Sequence, residues 1–116
     1  MVTRSSEPFW WSLFGAGGVI AAVLVPVHIV LTGIAAPAGW APHAFAYPRM
    51  VALLSHPLTR AYLFVLIALP LFHWAHRFRF ALVDLGLKKG QRAVAAVCYG
   101  AAITGTIVAA VVLLRI

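Results

Sequence analysis

Two short stretches, more than sixty residues apart, hold the side chains best suited to chemistry. The first carries Trp11 and Phe14, and the second carries His76, Arg77 and Phe80. Trp11 offers an indole N–H donor as well as a ring. His76 titrates near neutral pH and can relay a proton. Arg77 is a fixed cation, worth most to a developing anion in a dry, preorganised site. Flat rings, a donor, a cation and an imidazole together suit a quinone headgroup, whose two carbonyl oxygens take two electrons and two protons. The bland reading of the same residues is an aromatic belt with snorkelling arginines at a membrane boundary.

Other features carry less. Gly15, Gly17 and Gly18 have the composition of a phosphate-binding loop, but they follow no strand, so close helix approach is the expected role. Ala96, Gly100 and Thr104 repeat at four-residue spacing, a second packing signature. Cys98 stands alone, so neither an internal disulfide nor an all-cysteine metal site can form, and it reads as a small packing residue. His73 and His76 are a turn apart and cannot bracket one haem. His28 lies ~22 Å and His73 ~10 Å from the inner ends of their spans. A haem b is therefore disfavoured, and it would need a ligand from another chain.

The elements that position these groups follow from composition. Of 116 residues, 64% are hydrophobic and 9% charged, with mean hydropathy +1.00. Soluble domains carry about 25% charge, so this surface must face lipid or partner proteins. Three apolar spans, 13–36, 58–80 and 93–114, each cover the roughly 30 Å hydrocarbon layer. Helix is forced, because unpaired backbone groups in lipid are too costly and three spans cannot close a barrel. The expected fold is thus an all-α membrane protein of three transmembrane helices in a single domain, 1–116. Pro26 and Pro70 fall inside spans, where kinks are expected, and Pro48–Ser55 suits a short helix on the membrane surface. Met1–Trp10 lacks the pattern of a cleaved signal peptide.

The net charge of +7 sits between apolar spans rather than on one exposed stripe, which argues against nucleic acid. It sets orientation instead. Arg4, Arg77, Arg79, Lys88, Lys89 and Arg92 fall on one side, six in all, against Arg49, Arg60 and Arg115 on the other. The positive-inside rule puts the N-terminus in the cytoplasm and the C-terminus outside. Trp11 and Phe14 then share a depth with His76, Arg77 and Phe80 at the inner boundary. No acidic residue lies within a span, which disfavours an ion-coupled transporter.

The stretch Glu7-Pro8-Phe9-Trp10-Trp11-Ser12-Leu13-Phe14-Gly15-Ala16-Gly17-Gly18 resembles the N-terminal signature of the D-type membrane anchor subunits of bacterial fumarate reductase. Pro26, Gly33, Tyr47, Arg49, Arg60, Leu69-Pro70-Leu71, His76-Arg77, Asp84-Leu85 and Tyr99-Gly100 fall in register with it. The resemblance implies a non-catalytic anchor in the bacterial cytoplasmic membrane, paired with a C-type membrane anchor. Such a pair holds a flavoprotein and an iron–sulfur subunit at the inner face, and electrons from menaquinol pass on to fumarate. It further implies that Trp11, Phe14 and Arg77 contribute to the menaquinol site. One position departs from the pattern. Better-known members place histidines where Arg79 and Phe80 stand here, and the second of those histidines is credited with a role at the quinone. Phe80 cannot move a proton, which leaves His76 or a partner-chain residue to substitute, or a pocket of different build. The competing readings are a haem b-bearing cytochrome anchor of a succinate dehydrogenase-like complex and a purely structural membrane protein.

Overall fold

A computed structural model describes residues 6–116. The positive-inside count includes Arg4, which lies outside the described residues. Four helices follow one another: α1 (Glu7–Ala35), α2 (Tyr47–Ser55), α3 (Pro57–Asp84) and α4 (Gln91–Arg115). Helices α1, α3 and α4 are 29, 28 and 25 residues long, and each is apolar enough to cross a membrane. All three begin before the apolar spans read from sequence, and α3 and α4 also end beyond them. Most notably, α3 continues four residues past Phe80, so Arg77 and Arg79 lie within regular helix.

Pro26 leaves its mark on α1. It has no N–H for the Ala22 carbonyl, and its ring crowds that turn. The helix accommodates this by widening to π geometry over Ile20–Leu24 and again over Ile29–Ala35. There the bonds span five residues, as from Val25 N–H to the Ile20 carbonyl. Pro70 sits within α3, which stays α-helical around it. Polar side chains inside the spans turn back on their own helix. Ser12 donates to the Pro8 carbonyl at 2.7 Å, Thr32 to His28 at 2.6 Å and Thr106 to Ala102 at 2.8 Å. Such bonds keep hydroxyls satisfied where no water reaches.

The connections are defined as well. Helix α2 begins one residue earlier than the segment read from sequence. The imidazole of His56 accepts the Leu58 N–H at 3.1 Å and caps α3. At its other end α3 stops on Gly86, whose φ of +118° only glycine adopts freely. There the Gly86 N–H bonds the Val83 carbonyl and the Leu87 N–H bonds that of Leu82, the paired bonds of a Schellman ending.

Helix α3 is central, packed against both α1 and α4, with the α3–α4 contact the more extensive. The seam between α3 and α4 is built from small side chains. Ala75, Cys98 and Ala102 are buried, with Leu71, Val94 and Tyr99 packed around them. Cys98 thus serves in packing. Large apolar side chains such as Val19, Ile34, Leu58 and Ile107 point outward, the inverse of a soluble core. That inversion is expected where lipid is as apolar as leucine and close backbone approach drives association. The repeat Ala96, Gly100, Thr104 lies outside this seam. All three are exposed, and a Cβ at Gly100 would meet nothing within 4 Å.

Candidate functional site

The site forms where α1 meets α3, and two glycines make that meeting possible. A Cβ at Gly17 would lie 2.5 Å from the Leu69 carbonyl oxygen, and one at Gly18 would lie 2.7 Å from Cε1 of His73. At Gly17 hydrogen alone fits, and at Gly18 a larger group would displace the His73 ring. Gly15, by contrast, has open space around it, so close helix approach accounts for two of the three glycines. The contact brings His73 Nδ1 to 3.0 Å from the carbonyl oxygen of Phe14. A carbonyl can only accept, so Nδ1 carries the hydrogen.

Along α3, residues 73, 76, 77 and 80 recur at helical spacing and share one face. On α1, Trp11 and Phe14 do the same. Phe14 stacks on the His73 ring, with centroids 4.3 Å apart and planes 22° apart. Trp11 and Phe14 approach His76 edge-on at 5.8 Å and 4.7 Å, and Phe80 does so at 5.0 Å. The imidazole of His76 is thus fenced by three aromatic rings. Its Nδ1 lies 2.9 Å from the Tyr99 hydroxyl on α4. Arg79 lays its guanidinium 4.5 Å from the Phe80 ring centroid and 5.6 Å from that of Tyr99, within cation–π range.

A groove of about 820 Å³ opens on this face, lined by Trp11, Phe14, His76, Arg77 and Phe80, with Asp84 at the same face. All five residues singled out from sequence therefore border one cavity. Trp11 is 58% and Phe80 45% exposed, so the chain builds one wall and leaves the other side open. Among the described residues, no hydrogen bond or ion pair engages the Arg77 guanidinium. Such a wall can stack a flat ring, stabilise a negative charge and exchange a proton through imidazole.

Three contributors were missed from sequence as site residues. His73 enters the sequence reading only as a haem ligand, although its spacing from His76 and Arg77 puts it on their face. Asp84 shares that face too, two turns beyond Arg77. Tyr99 lies on another helix, and no spacing pointed to it. The histidines do not converge elsewhere. His28 Nε2 is 2.8 Å from the Tyr62 hydroxyl, about eleven residues of helix away from His73, or ~16 Å.

The fold and this groove define a small helical membrane protein with an aromatic-walled groove that is open on one side. Comparison with known proteins narrows the class. The family model for the D subunit of fumarate reductase matches residues 1–114. The fumarate reductase D subunit of Mycobacterium tuberculosis strain H37Rv is 45% identical over 113 residues, covering 96% of this chain and 89% of that one. Its counterpart from Mycobacterium bovis AF2122/97 matches to the same extent. The protein of that name from Shewanella putrefaciens CN-32 is 40% identical over 109 residues, covering 93% and 89%. The chain belongs to the family of fumarate reductase D subunits, and is a membrane component of that complex.

Proposed function

We propose that this chain is a non-catalytic anchor that holds the flavoprotein and iron–sulfur subunits at the inner face of the bacterial cytoplasmic membrane, together with a C-type membrane anchor. In this reading the N-terminus is cytoplasmic, the C-terminus is outside, and Trp11, Phe14, His76, Arg77 and Phe80 form this chain's share of a menaquinol site. The observation that carries it is the groove itself, where aromatic rings from α1 and α3 converge beside an imidazole and an arginine with no hydrogen-bond or ion-pair partner among the described residues. Menaquinol supplies two electrons and two protons. The chain's own residues stack the ring (Trp11, Phe14, Phe80), stabilise negative charge on a headgroup oxygen (Arg77) and take up a proton (His76). The open side of the groove suits completion by partner chains.

The histidines favour this reading over a haem b anchor. His28 is bonded to Tyr62, His73 to Phe14, and the two lie at different heights. Phe80 is where the chain departs from the family pattern. A ring packed under Arg79 adds stacking surface where proton exchange is lost, and leaves His76 as the titrating group.

Arg77→Lys tests the site, because it keeps the charge but not the guanidinium fork. Losing one charge-assisted bond costs about 1.5–3 kcal/mol, or about 10- to 150-fold in rate. Menaquinol oxidation by the assembled complex should slow at least about tenfold, while dye-driven fumarate reduction stays near normal. Unchanged quinol oxidation would sink the site. Orientation is tested by labelling intact cells with an impermeant thiol reagent. Gly39→Cys should react and Lys88→Cys should not, and the reverse result overturns the topology.

A further inference from the structure

His76 does not meet the groove as an isolated imidazole. Its Nδ1 is tethered to the Tyr99 hydroxyl, and Tyr99 is itself packed against the Ala75–Cys98–Ala102 seam. The tether is thus anchored in the most extensive helix contact of the molecule. Arg79 covers the Tyr99 ring from another side. With Nδ1 committed, Nε2 is the nitrogen left for exchange, and among the described residues nothing bonds it.

A phenol hydroxyl can both donate and accept, so the tether persists through a protonation cycle. While Nε2 holds a lone pair, Nδ1–H donates to the Tyr99 oxygen. When Nε2 gains a proton, the Nδ1–H bond is unchanged and becomes charge-assisted, which strengthens it. In the other neutral tautomer the Tyr99 O–H donates to Nδ1 instead. A carbonyl partner such as His73 has at Phe14 would permit the first two arrangements but not the third, because it has no hydrogen to donate to a bare Nδ1.

We propose that Tyr99 is a positioning residue that holds the His76 ring with Nε2 toward the groove, ready to accept a proton from a quinol hydroxyl. The inference rests on the menaquinol reading above. The step is a proton transfer alone. The quinol O–H bond breaks, an N–H bond forms at Nε2, and the oxygen keeps the electron pair as an anion beside Arg77. The charged and titratable groups facing His76 are Arg77, Arg79 and His73 from α3 and Tyr99 from α4, while α1 presents the rings of Trp11 and Phe14. The Tyr99 pairing also supplies, from a third helix, support for the proton function that Phe80 cannot perform.

The test uses Tyr99→Phe in the assembled complex in membranes, since it keeps the ring, the seam packing and the Arg79 contact. The kcat of menaquinol oxidation should fall about 2- to 12-fold, the worth of one ordinary hydrogen bond, with KM within about twofold and dye-driven fumarate reduction unchanged. His76→Asn should cost more, and adding Tyr99→Phe to it should cost nothing further, because the tyrosine acts through the imidazole. The ¹⁵N resonances of His76 should shift toward a different tautomer balance in Tyr99→Phe. A normal kcat in Tyr99→Phe overturns the inference whatever the resonances do, and leaves the menaquinol site standing if Arg77→Lys and His76→Asn are slow. If those two are also normal, the site reading fails first. Equal loss of dye-driven activity in Tyr99→Phe would make Tyr99 a structural strut and overturn its positioning role.

Discussion

The two ends of α3 use similar side chains in opposite ways. At the end holding His56 and Arg60, polar groups are bonded within the chain. The Arg60 guanidinium donates to the Leu54 carbonyl at 2.9 Å, His56 caps the helix and His28 pairs with Tyr62. The groove there is about 380 Å³ and largely aliphatic, lined by residues such as Ala61, Ala110 and Leu113. At the end holding His76 and Arg77 the groove is about twice as large and walled by aromatic rings, and Arg77 has no hydrogen-bond or ion-pair partner among the described residues. Arginines at the two ends thus face different fates. One is consumed in joining α2 to α3, and the other stays available at the edge of a cavity. A cation within a membrane is costly unless it is paired or snorkels to the boundary, so the two arginines meet that cost in different ways.

The contrast can be broken first at the glycines. Gly17→Ala places a carbon against the Leu69 backbone, which cannot swing aside as a side chain would. Helix α1 must withdraw, taking Trp11 and Phe14 away from His76. Overpacking of this kind costs about 1–3 kcal/mol. We expect membrane-assembled complex, quantified by immunoblot against its partner chains, to fall several-fold, and menaquinol oxidation per complex to fall further. Gly15→Ala should leave both unchanged, since nothing lies within 4 Å. Equal behaviour of the two variants would refute the account of the α1–α3 contact.

The smallest effect belongs to the other end. Tyr62→Phe removes one interhelical hydrogen bond, and such bonds in membranes average ~0.6 kcal/mol. The assembled complex should lose only a degree or two of thermal stability, with menaquinol oxidation unchanged. A loss of quinol oxidation comparable to that of Arg77→Lys would erase the distinction between the ends and place a second functional site there.

The amino-acid sequence by itself determined a good deal here. Hydropathy set three membrane-length helices, and the regular rise of a helix brought Trp11 and Phe14 level with His76 and Arg77. The composition already excluded a water-exposed surface. Family membership was legible too, because an ordered set of residues from Glu7 to Gly100 carries it. What the sequence left open was azimuth, the direction in which each helix turns its faces. In water an apolar stripe reveals the buried face. In these spans every face is apolar, so periodicity separates the seam from the lipid-facing side only weakly. That is why spacing alone does not tell the exposed stripe of Ala96, Gly100 and Thr104 from Ala75, Cys98 and Ala102, which form the seam within the chain. It is also why Tyr99 could not be assigned to His76, nor His73 to Phe14, before the helices were packed. Those pairings were decided by tertiary structure alone: glycine-sized gaps let α1 settle against α3, and the small side chains of Ala75, Cys98 and Ala102 let α4 do the same.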